Sequence, residues 1–497
     1  MHLETKMSCL RFFPLAIILR NQKITLLLLL SLFLLILYRW KGSTSEHHHD
    51  HVEDTQRTFE DGVAYCNAPE KRTMDNRSHT LTDLKLMQLQ VLIRHGDRAP
   101  IDLNALPNTG SVHIPCLFNH SKYAHMRDSY KMEDVAKRNI FHVKGSRKGE
   151  MLNPRAVCHG GQLTPYGYVQ HLILGDAFRK TYGNVLRDVN IVGDVHVQAT
   201  DHHRTIQSGA SFLTGVFYEE LMKTTPKVVI NVHPDRLPNG HMLLDENGND
   251  HPCPALKMGA KKIRTSRSVK NFNSNVEPMI TKMAGILLVP RQSMPSFNRL
   301  VDILFTKLCH GQGVPMGPHY RLPHSMVRQA LEFSHMYAHV HHSGLAELQT
   351  LSILSQFAQR YLDLLRKLPS AKKLVLYSAH DTTVGPFLQI LNVWDGKWPP
   401  YASNVIVEFY ERQDNTDMSL KGRIKASYFR VVYNGVALVP RKGFCRTLLF
   451  DSELCPVSDL FRYVSNNVYD ESLAASMDQS TFDELLFKRI KTLCSRV

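Results

Sequence analysis

Residues 89–100 read LQVLIRHGDRAP, a short apolar run typical of a buried β-strand that continues directly into a charged turn. In this turn Arg94 and Arg98 flank His95, and Gly96 allows backbone conformations and close approaches that other residues do not. A guanidinium matches two phosphate oxygens and is always charged, and neighbouring cations lower the proton affinity of an imidazole. The turn therefore predicts a neutral histidine nucleophile beside an arginine clamp for phosphate. An isolated R-H-G is more often an ordinary surface turn, so the rest of the chain must decide.

Two further predicted strands, 195–199 (VHVQA) and 374–377 (LVLY), also end in polar clusters. Strands are predicted at 405–410 and 428–433 as well, and helices at 164–182, 203–218 and 344–368. Alternating strands and helices predict an α/β fold, a mainly parallel sheet flanked by helices. Ligands of such sheets bind beyond the carboxyl ends of the strands, where the three polar clusters are expected to lie.

Four segments occur in the order found in the histidine acid phosphatases. They are RHGDRAP at 94–100 (R-H-G-x-R-x-P), GQLTPYG at 161–167 (G-x-L-T-x-x-G), ATDHHRT at 199–205 (S-T-D-x-x-R-T) and the H-D pair in SAHDTT at 378–383. Ala199 replaces the usual serine of the third segment. The chain thus resembles this family from about residue 85 to the C-terminus, which implies the phosphoglycerate-mutase-like fold.

The resemblance implies a role for each matching position. His95 would form a phosphohistidine intermediate, His380 would donate a hydrogen bond to phosphate, and Asp381 would protonate the leaving alcohol and then activate water. Three arginines would hold the phosphoryl oxygens: Arg94, Arg98 and Arg204. This chemistry requires no metal and no cofactor.

Other charged residues in these segments are expected to play supporting roles. Asp97 and Asp201 are each expected to orient an arginine rather than to take part in catalysis. His159, His202 and His203 are expected to have packing or surface roles.

The N-terminal region predicts a membrane anchor. Residues 24–38 (ITLLLLLSLFLLILY) carry no charge and would span about 22 Å as a helix, which suits a thin membrane of the early secretory pathway. A cleaved signal peptide is the alternative, but no A-x-A-like site follows. The excess of basic residues before the span favours a cytoplasmic N-terminus and a type II protein. The predicted organisation is a cytoplasmic tail (1–23), a transmembrane signal anchor (24–38), a lumenal stem (39–80) and a catalytic domain (81–497) with a helical cap or insertion around 220–345.

Cysteines and glycosylation motifs agree with a lumenal location. Eight of the nine cysteines follow the span, enough for up to four disulfides, although their connectivity is left open. Cys445 and Cys455 are close enough in sequence to close a small loop. Asn76 and Asn119 would be glycosylation acceptors in the lumen.

The net charge of +15 indicates an anionic partner. Residues 1–41 supply +5 of it and the predicted lumenal part +10, so nucleic acid is excluded as the expected ligand. One basic run contains no acid and is either a solvated insertion or a surface for an acidic glycosaminoglycan: Lys257, Lys261, Lys262, Arg264, Arg267 and Lys270.

The H-D pair separates this chain from the inositol-polyphosphate branch of the family. Its predicted anchor resembles that of a Golgi type II branch, which acts on phosphorylated xylose in the linkage region of proteoglycans. The expected function is therefore a Golgi lumenal phosphomonoesterase that removes the 2-phosphate from this xylose, with Golgi glycosyltransferases as conceivable partners. A broad-specificity acid phosphatase of the secretory pathway and a catalytically silent glycan-binding scaffold are the alternatives.

Overall fold

The computed structural model describes residues 64–67, 81, 83–104, 106, 109, 112–117, 140–146, 157–224, 226–232, 254–342, 344–440, 444–446, 453–465 and 492–494. The predicted anchor at 24–38 and the sequons at Asn76 and Asn119 lie outside these residues. Within the described part of the chain, no helix has both the length and the apolar character needed to cross a membrane.

A nine-stranded sheet organises the described residues. Eight strands follow the spatial order β2-β4-β3-β5-β1-β6-β7-β8, and β9 pairs with β7. Their bounds are β1 Leu84–Arg94, β2 Phe141–Lys144, β3 Val195–Ala199, β4 Val228–Val232, β5 Leu374–Ala379, β6 Asn404–Arg412, β7 Ser427–Tyr433, β8 Val436–Leu438 and β9 Cys455–Pro456.

The sheet is mixed, whereas the sequence predicts a mainly parallel one. Strands β2, β4, β3, β5 and β1 are parallel, but β6, β7, β8 and β9 add antiparallel pairs. Strand β6 begins beside the end of β1, where Arg94 N–H donates to Ser403 (2.9 Å) and Ala402 N–H to His95 (3.0 Å). A two-residue turn, Asn434-Gly435, joins β7 to β8 with positive φ at both positions, and such a turn permits only antiparallel pairing.

Helices cover both faces of the sheet. Alternate residues of β1 point to opposite sides, so Leu89 and Val91 pack with α1 and α2 while Leu92 packs with α8 and α9. The helices are α1 Pro165–Leu186, α2 His203–Val216, α3 Tyr218–Lys223, α4 Pro254–Arg264, α5 Arg267–Leu287, α6 Phe297–Cys309, α7 His324–His342, α8 Ala346–Leu365, α9 Asp381–Ile390, α10 Leu420–Lys425 and α11 Val457–Val464.

Helices α5, α6 and α7 have a separate apolar core. Phe272, Leu300 and Met326 belong to this cluster, which also includes Tyr65 and Tyr401. These helices lie within the span where the sequence predicts the helical insertion. Because Tyr65 and Tyr401 also lie against Arg94, the last residue of β1, this core extends to the carboxyl end of that strand.

Three disulfides have both cysteines among the described residues: Cys66–Cys309, Cys116–Cys158 and Cys445–Cys455. Cys494 is also disulfide-bonded. The first bridge joins the segment before the sheet to the end of α6, across 243 residues of sequence. Disulfides of this kind form and persist in oxidising compartments.

Two glycines from different motifs pack directly against each other. A Cβ on Gly96 would lie 2.3 Å from the carbonyl oxygen of Gly167, and one on Gly167 would lie 2.1 Å from that of Asp97. Both approaches are far closer than any real carbon contact, and the neighbouring atoms are backbone. The turn after β1 therefore touches the start of α1 only because both residues lack a side chain.

We expect Gly96→Ala to lower the free energy of unfolding by about 1–3 kcal/mol or more, because the backbone at Gly167 must move. The control is Gly285→Ala in α5, where an added Cβ meets nothing within 4 Å and removal of a helical glycine stabilises by roughly 0.5–1 kcal/mol. Urea unfolding of both variants measures the difference. Equal stability of the two variants would contradict the packing argument.

Candidate active site

The three polar clusters meet at one edge of the sheet because β3, β5 and β1 are adjacent and parallel. In the register of these strands Arg94 is level with Ala379, and Ala199 is level with Ser378. The residues that follow each strand therefore converge. Helices α2 and α9 begin here, and neither has a side-chain hydrogen bond at its N-cap. Their N-terminal dipoles add positive potential to the site.

His95 lies at the centre of this edge and is fully buried. Its Nδ1 is 2.8 Å from the carbonyl oxygen of Gly96, and a carbonyl only accepts, so Nδ1 carries the proton. Burial lowers the pKa of His95 well below 6.5, and the charges of Arg204, Arg94 and Arg98 lower it further. The ring is therefore neutral, with the lone pair on Nε2.

Arg94 and Asp381 form a buried ion pair beside His95. Arg94 Nη2 is 2.9 Å from Asp381 Oδ2, and the guanidinium lies 4.3 Å from the ring centre of Tyr401. Asp381 is the first residue of α9, and its carboxylate also accepts from the indole N–H of Trp398 (2.8 Å) and the backbone N–H of Thr382 (2.8 Å). Three donors thus hold this carboxylate in place.

Arg98 and Arg204 are both buried at the site. Arg98 Nη1 contacts both carboxylate oxygens of Asp302, at 2.9 and 3.1 Å, and so connects the site to α6. Arg204 stands in the first turn of α2, and its Nη1 lies 3.4 Å from Nδ1 of His202. Its charge is the largest electrostatic influence on the pKa of His95 and of His380.

A chain of hydroxyl groups determines which nitrogen of His380 carries a proton. Thr205 Oγ1 donates to the carbonyls of Thr200 (2.9 Å) and His202 (2.8 Å). Thr200 Oγ1 then donates to Thr205 Oγ1 (2.9 Å) and accepts from Nε2 of His380 (2.9 Å). His380 Nδ1 is buried and has no hydrogen-bond partner among the described residues. Burial, followed by the charge of Arg204, lowers the pKa of His380 well below 6.5.

The structure thus brings all six predicted site residues together. The ring centres of His95 and His380 are 5.5 Å apart. The other four surround them at distances where their charges act on the two rings: Arg94, Arg98, Arg204 and Asp381.

Asp97 has different contacts from those expected, and Asp201 is hydrogen-bonded to a serine. Asp97 is fully buried, and its Oδ2 accepts from His310 (2.7 Å) and from the hydroxyl of Thr164 (2.5 Å) rather than from an arginine. It joins the turn after β1 to the end of α6 and the start of α1. Asp201 accepts from Ser146 at 2.6 Å.

Among the neighbouring histidines, His202 contacts residues of the predicted site. Its ring is 5.2 Å from that of His380, so it borders the site instead of only packing behind it. His159 and His203 are half-buried.

Sequence reasoning does not identify Asp302, Trp398 or Tyr401 as neighbours of the site. None of them belongs to the four motifs, and each reaches the site from a distant segment. Thr200 and Thr205, by contrast, stand within the third motif, and their position beside Arg204 is a signal that could have been used.

Comparison with known proteins agrees with this geometry. The chain matches the model of the histidine phosphatase superfamily (branch 2) over residues 85–434. It is 25% identical over 449 residues to 2-phosphoxylose phosphatase 1 of Xenopus tropicalis. That alignment covers 86% of this chain and 82% of the Xenopus protein. It is 30% identical over 281 residues to lysosomal acid phosphatase of Rattus norvegicus, covering 54% of this chain and 63% of that protein.

Among solved structures, the Hafnia alvei phytase in complex with myo-inositol hexakis sulphate aligns with a TM-score of 0.49 and 16% identity. The alignment covers 78% of this chain and 98% of the phytase. The family match, in contrast, spans more than half of the chain and contains all six clustered side chains. The family resemblance predicted from the sequence is thus confirmed: the chain belongs to branch 2 of the histidine phosphatase superfamily and is a phosphomonoesterase of the histidine acid phosphatase type.

Proposed function

We propose that this phosphatase removes the 2-phosphate from xylose in the glycosaminoglycan–protein linkage region of proteoglycans, and so permits elongation of the glycan. The observation that carries the proposal is the extent of similarity to proteins named 2-phosphoxylose phosphatase 1. It covers 82–86% of this chain in five vertebrates at 24–26% identity, against 54% for the lysosomal acid phosphatases. The specificity of the relatives is expected to reside in segments outside the shared motifs.

The geometry supports His95 as the nucleophile. Because Nδ1 donates to Gly96, the lone pair of Nε2 is available to attack phosphorus. In the first step the N–P bond forms, the ester P–O bond breaks, and the leaving alkoxide takes a proton from Asp381. In the second step water attacks phosphorus, the N–P bond breaks and Asp381 takes the proton back.

The ion pair between Arg94 and Asp381 fits this scheme. A phosphoryl dianion competes with the carboxylate for the guanidinium, and its arrival releases Asp381 from Arg94 so that the carboxyl group can hold a proton. Arg98 and Arg204 would bind the remaining oxygens and stabilise the charge of the transition state. His380 Nδ1 donates to phosphate only when the ring gains a second proton, which a bound anion favours.

The proposed location is the Golgi membrane, with the catalytic domain in the lumen. Its support is the apolar run at 24–38, the basic residues before it and the disulfides of the described domain. A phosphorylated linkage glycan is the proposed partner, and the membrane is contacted through the N-terminal anchor.

The pH dependence of kcat/KM tests the protonation state of His95. Since burial and three arginines hold the pKa of His95 well below 6.5, its neutral form persists as the pH falls through 6.5. We expect Arg204→Gln to raise this pKa, and therefore to move the acid limb of kcat/KM for phenyl phosphate to higher pH. The exposed Arg299, outside the site, supplies the control Arg299→Gln. An acid limb that stays in place in Arg204→Gln would contradict the electrostatic argument.

The roles of His95 and Asp381 can be separated by the leaving group. We expect Asp381→Asn to lower kcat for an alkyl phosphate by about 10²–10⁴-fold, because the alkoxide needs a proton. An aryl phosphate leaves without one, so phosphorylation continues while hydrolysis is slow, and acid-labile phosphohistidine accumulates in rapid-quench experiments. His95→Ala forms no phosphoenzyme. The alternative of a silent scaffold is tested with a protein that comprises residues 42–497. If this protein shows no phosphatase activity that is lost in His95→Ala, the scaffold is favoured.

Variants of the basic run test whether the substrate is an acidic glycan. In the structure Lys261, Lys262, Arg264, Arg267 and Lys270 are exposed on α4 and the start of α5. We expect their replacement by glutamine to weaken turnover of a linkage tetrasaccharide that carries 2-phosphoxylose, at low salt, and to spare a small aryl phosphate.

The control for the basic run is the double variant Lys223→Gln, Lys227→Gln. Both lysines are exposed, and Lys227 precedes β4, at the edge of the sheet opposite the site. Equal loss on both substrates would contradict a glycan role for the basic run. Similar kcat/KM of the wild type for the tetrasaccharide and for generic phosphomonoesters would favour the broad-specificity alternative.

A further inference from the structure

Two segments outside the four motifs contact two of the proposed phosphate-binding arginines, Arg94 and Arg98. One segment is residues 64–67, which precede the sheet, and the other is helix α6 of the helical insertion. The disulfide between Cys66 and Cys309 joins the two segments covalently. Residues 64–67 and α6 are together called the bridged support below.

Tyr65 holds the guanidinium group of Arg94. Its phenol oxygen accepts from Nη2 of Arg94 (3.3 Å), and its ring centre lies 5.5 Å from the guanidinium carbon. The other terminal nitrogen, Nη1, donates to the carbonyl oxygen of Pro399. In the proposed mechanism an arriving phosphoryl group displaces Asp381 from Arg94. The contacts with Tyr65 and Pro399 then keep the guanidinium in its orientation during this exchange.

Gln170 of α1 connects residues 64–67 to the turn after β1. Its Nε2 donates to the carbonyl oxygens of Cys66 (2.6 Å) and Asn67 (3.1 Å). Its Oε1 accepts from the backbone N–H of Asp97 (2.7 Å). Gln170 is fully buried, so these hydrogen bonds are shielded from water. One side chain therefore fixes the position of Cys66 relative to the turn that carries His95.

Helix α6 holds the second arginine, Arg98. Both carboxylate oxygens of Asp302 accept from Nη1 of Arg98 (2.9 and 3.1 Å), and Oδ2 also accepts from the backbone N–H of Ile101 (2.8 Å). Just after the helix ends, Nε2 of His310 lies 2.7 Å from Oδ2 of Asp97. The turn after β1 is thus bound to α6 along its length, and not only at the arginine.

A single face of α6 makes the contacts with Arg98 and with residues 64–67. Asp302, Phe305 and Cys309 are spaced three and four residues apart, which places them on one side of a helix. Asp302 holds Arg98, the ring of Phe305 lies 4.5 Å from that of Tyr65, and Cys309 is bonded to Cys66. The contacts that orient Arg94 and Arg98 therefore belong to one packed unit.

We propose that Tyr65 and Asp302 are positioning residues for phosphate binding, and that the Cys66–Cys309 disulfide holds them in place relative to each other. These roles rest on the phosphate-binding roles of the two arginines in the proposed function, and they extend that function to segments outside the motifs. An arginine that is already held loses little side-chain entropy when phosphate binds, whereas a mobile one loses more and binds more weakly.

The first test removes the disulfide of the bridged support. In the double variant Cys66→Ser, Cys309→Ser we expect the Ki of inorganic phosphate and the KM of phenyl phosphate to rise about three- to tenfold. The control is Cys445→Ser, Cys455→Ser, whose bridge lies beside the start of β7, away from the strand ends that form the site. Both double variants are expected to lose stability, but only the first should change Ki.

Two single variants test the positioning residues while the disulfide is intact. Tyr65→Phe keeps the ring and removes the phenol oxygen, and Asp302→Asn keeps the shape and removes the charge. We expect each to raise the Ki of phosphate about three- to tenfold, the contribution of one hydrogen bond. Asp302→Glu, which retains the charge, should restore part of the affinity. The exposed Tyr320 and Asp414 supply the controls Tyr320→Phe and Asp414→Asn.

The separation of Ki from kcat distinguishes positioning from loss of fold. A partly unfolded variant contains less active enzyme, so its kcat falls while KM and Ki stay unchanged. That pattern in Tyr65→Phe and Asp302→Asn would overturn the positioning role, and so would the absence of any change in them. An unchanged Ki in the double variant of Cys66 and Cys309 would overturn the role of the disulfide. If this double variant does not fold, the single variants decide.

Failure of the proposed function gives a different pattern. Arg94→Gln and Arg98→Gln test the phosphate-binding roles directly, through the Ki of inorganic phosphate. If Ki is unchanged in both, those roles are wrong, and the positioning role is overturned with them. If Ki rises in the arginine variants but not in Tyr65→Phe and Asp302→Asn, only the positioning role fails.

Discussion

The parallel pairing of β3, β5 and β1 is the constraint on which the site depends. Each strand ends in a polar turn, and the pairing places the three turns side by side, each one strand spacing from the next. Hydrogen bonds then hold the turns: His95 N–H donates to Ala379 (2.9 Å) and Thr200 N–H to Ser378 (3.2 Å). A shift of one residue in this register would turn Arg94 away from the site. The glycine contact between Gly96 and Gly167 packs the first turn against α1 in the same position.

The charged side chains at the carboxyl ends of these strands are buried, so their charges must partly offset one another. Three buried arginines would repel one another strongly in a medium of low polarity, and two carboxylates from outside the first motif, Asp302 and Asp381, offset part of that repulsion. Burial, and then the charges of the three arginines, keep His95 neutral. In the proposed mechanism the same arginines thus keep the nucleophile neutral and bind the anion.

Much of the site could be predicted from the sequence because its residues come in short contiguous motifs at strand ends. The five predicted strands and the long helices are present, with bounds that differ by a few residues. The mixed sheet was not predicted, because pairing direction depends on contacts between distant segments such as Ser403 with Arg94. The positions of Asp302 and Trp398 beside the site could not be predicted for the same reason. No local pattern marks an isolated aspartate on α6 or a tryptophan in a loop.

The motifs therefore account for phosphoryl transfer but not for selection of a substrate. In the proposed mechanism His95, His380 and the three arginines act on the phosphoryl group, and Asp381 must reach the leaving oxygen. In the proposed mechanism contacts to the remainder of the substrate come from segments packed around Asp381, which among the described residues include α7 and the loop that carries Trp394 and Trp398. They are also part of the site's own structure, since Trp398 donates to Asp381 (2.8 Å) and so helps to hold the carboxylate that must reach the leaving oxygen.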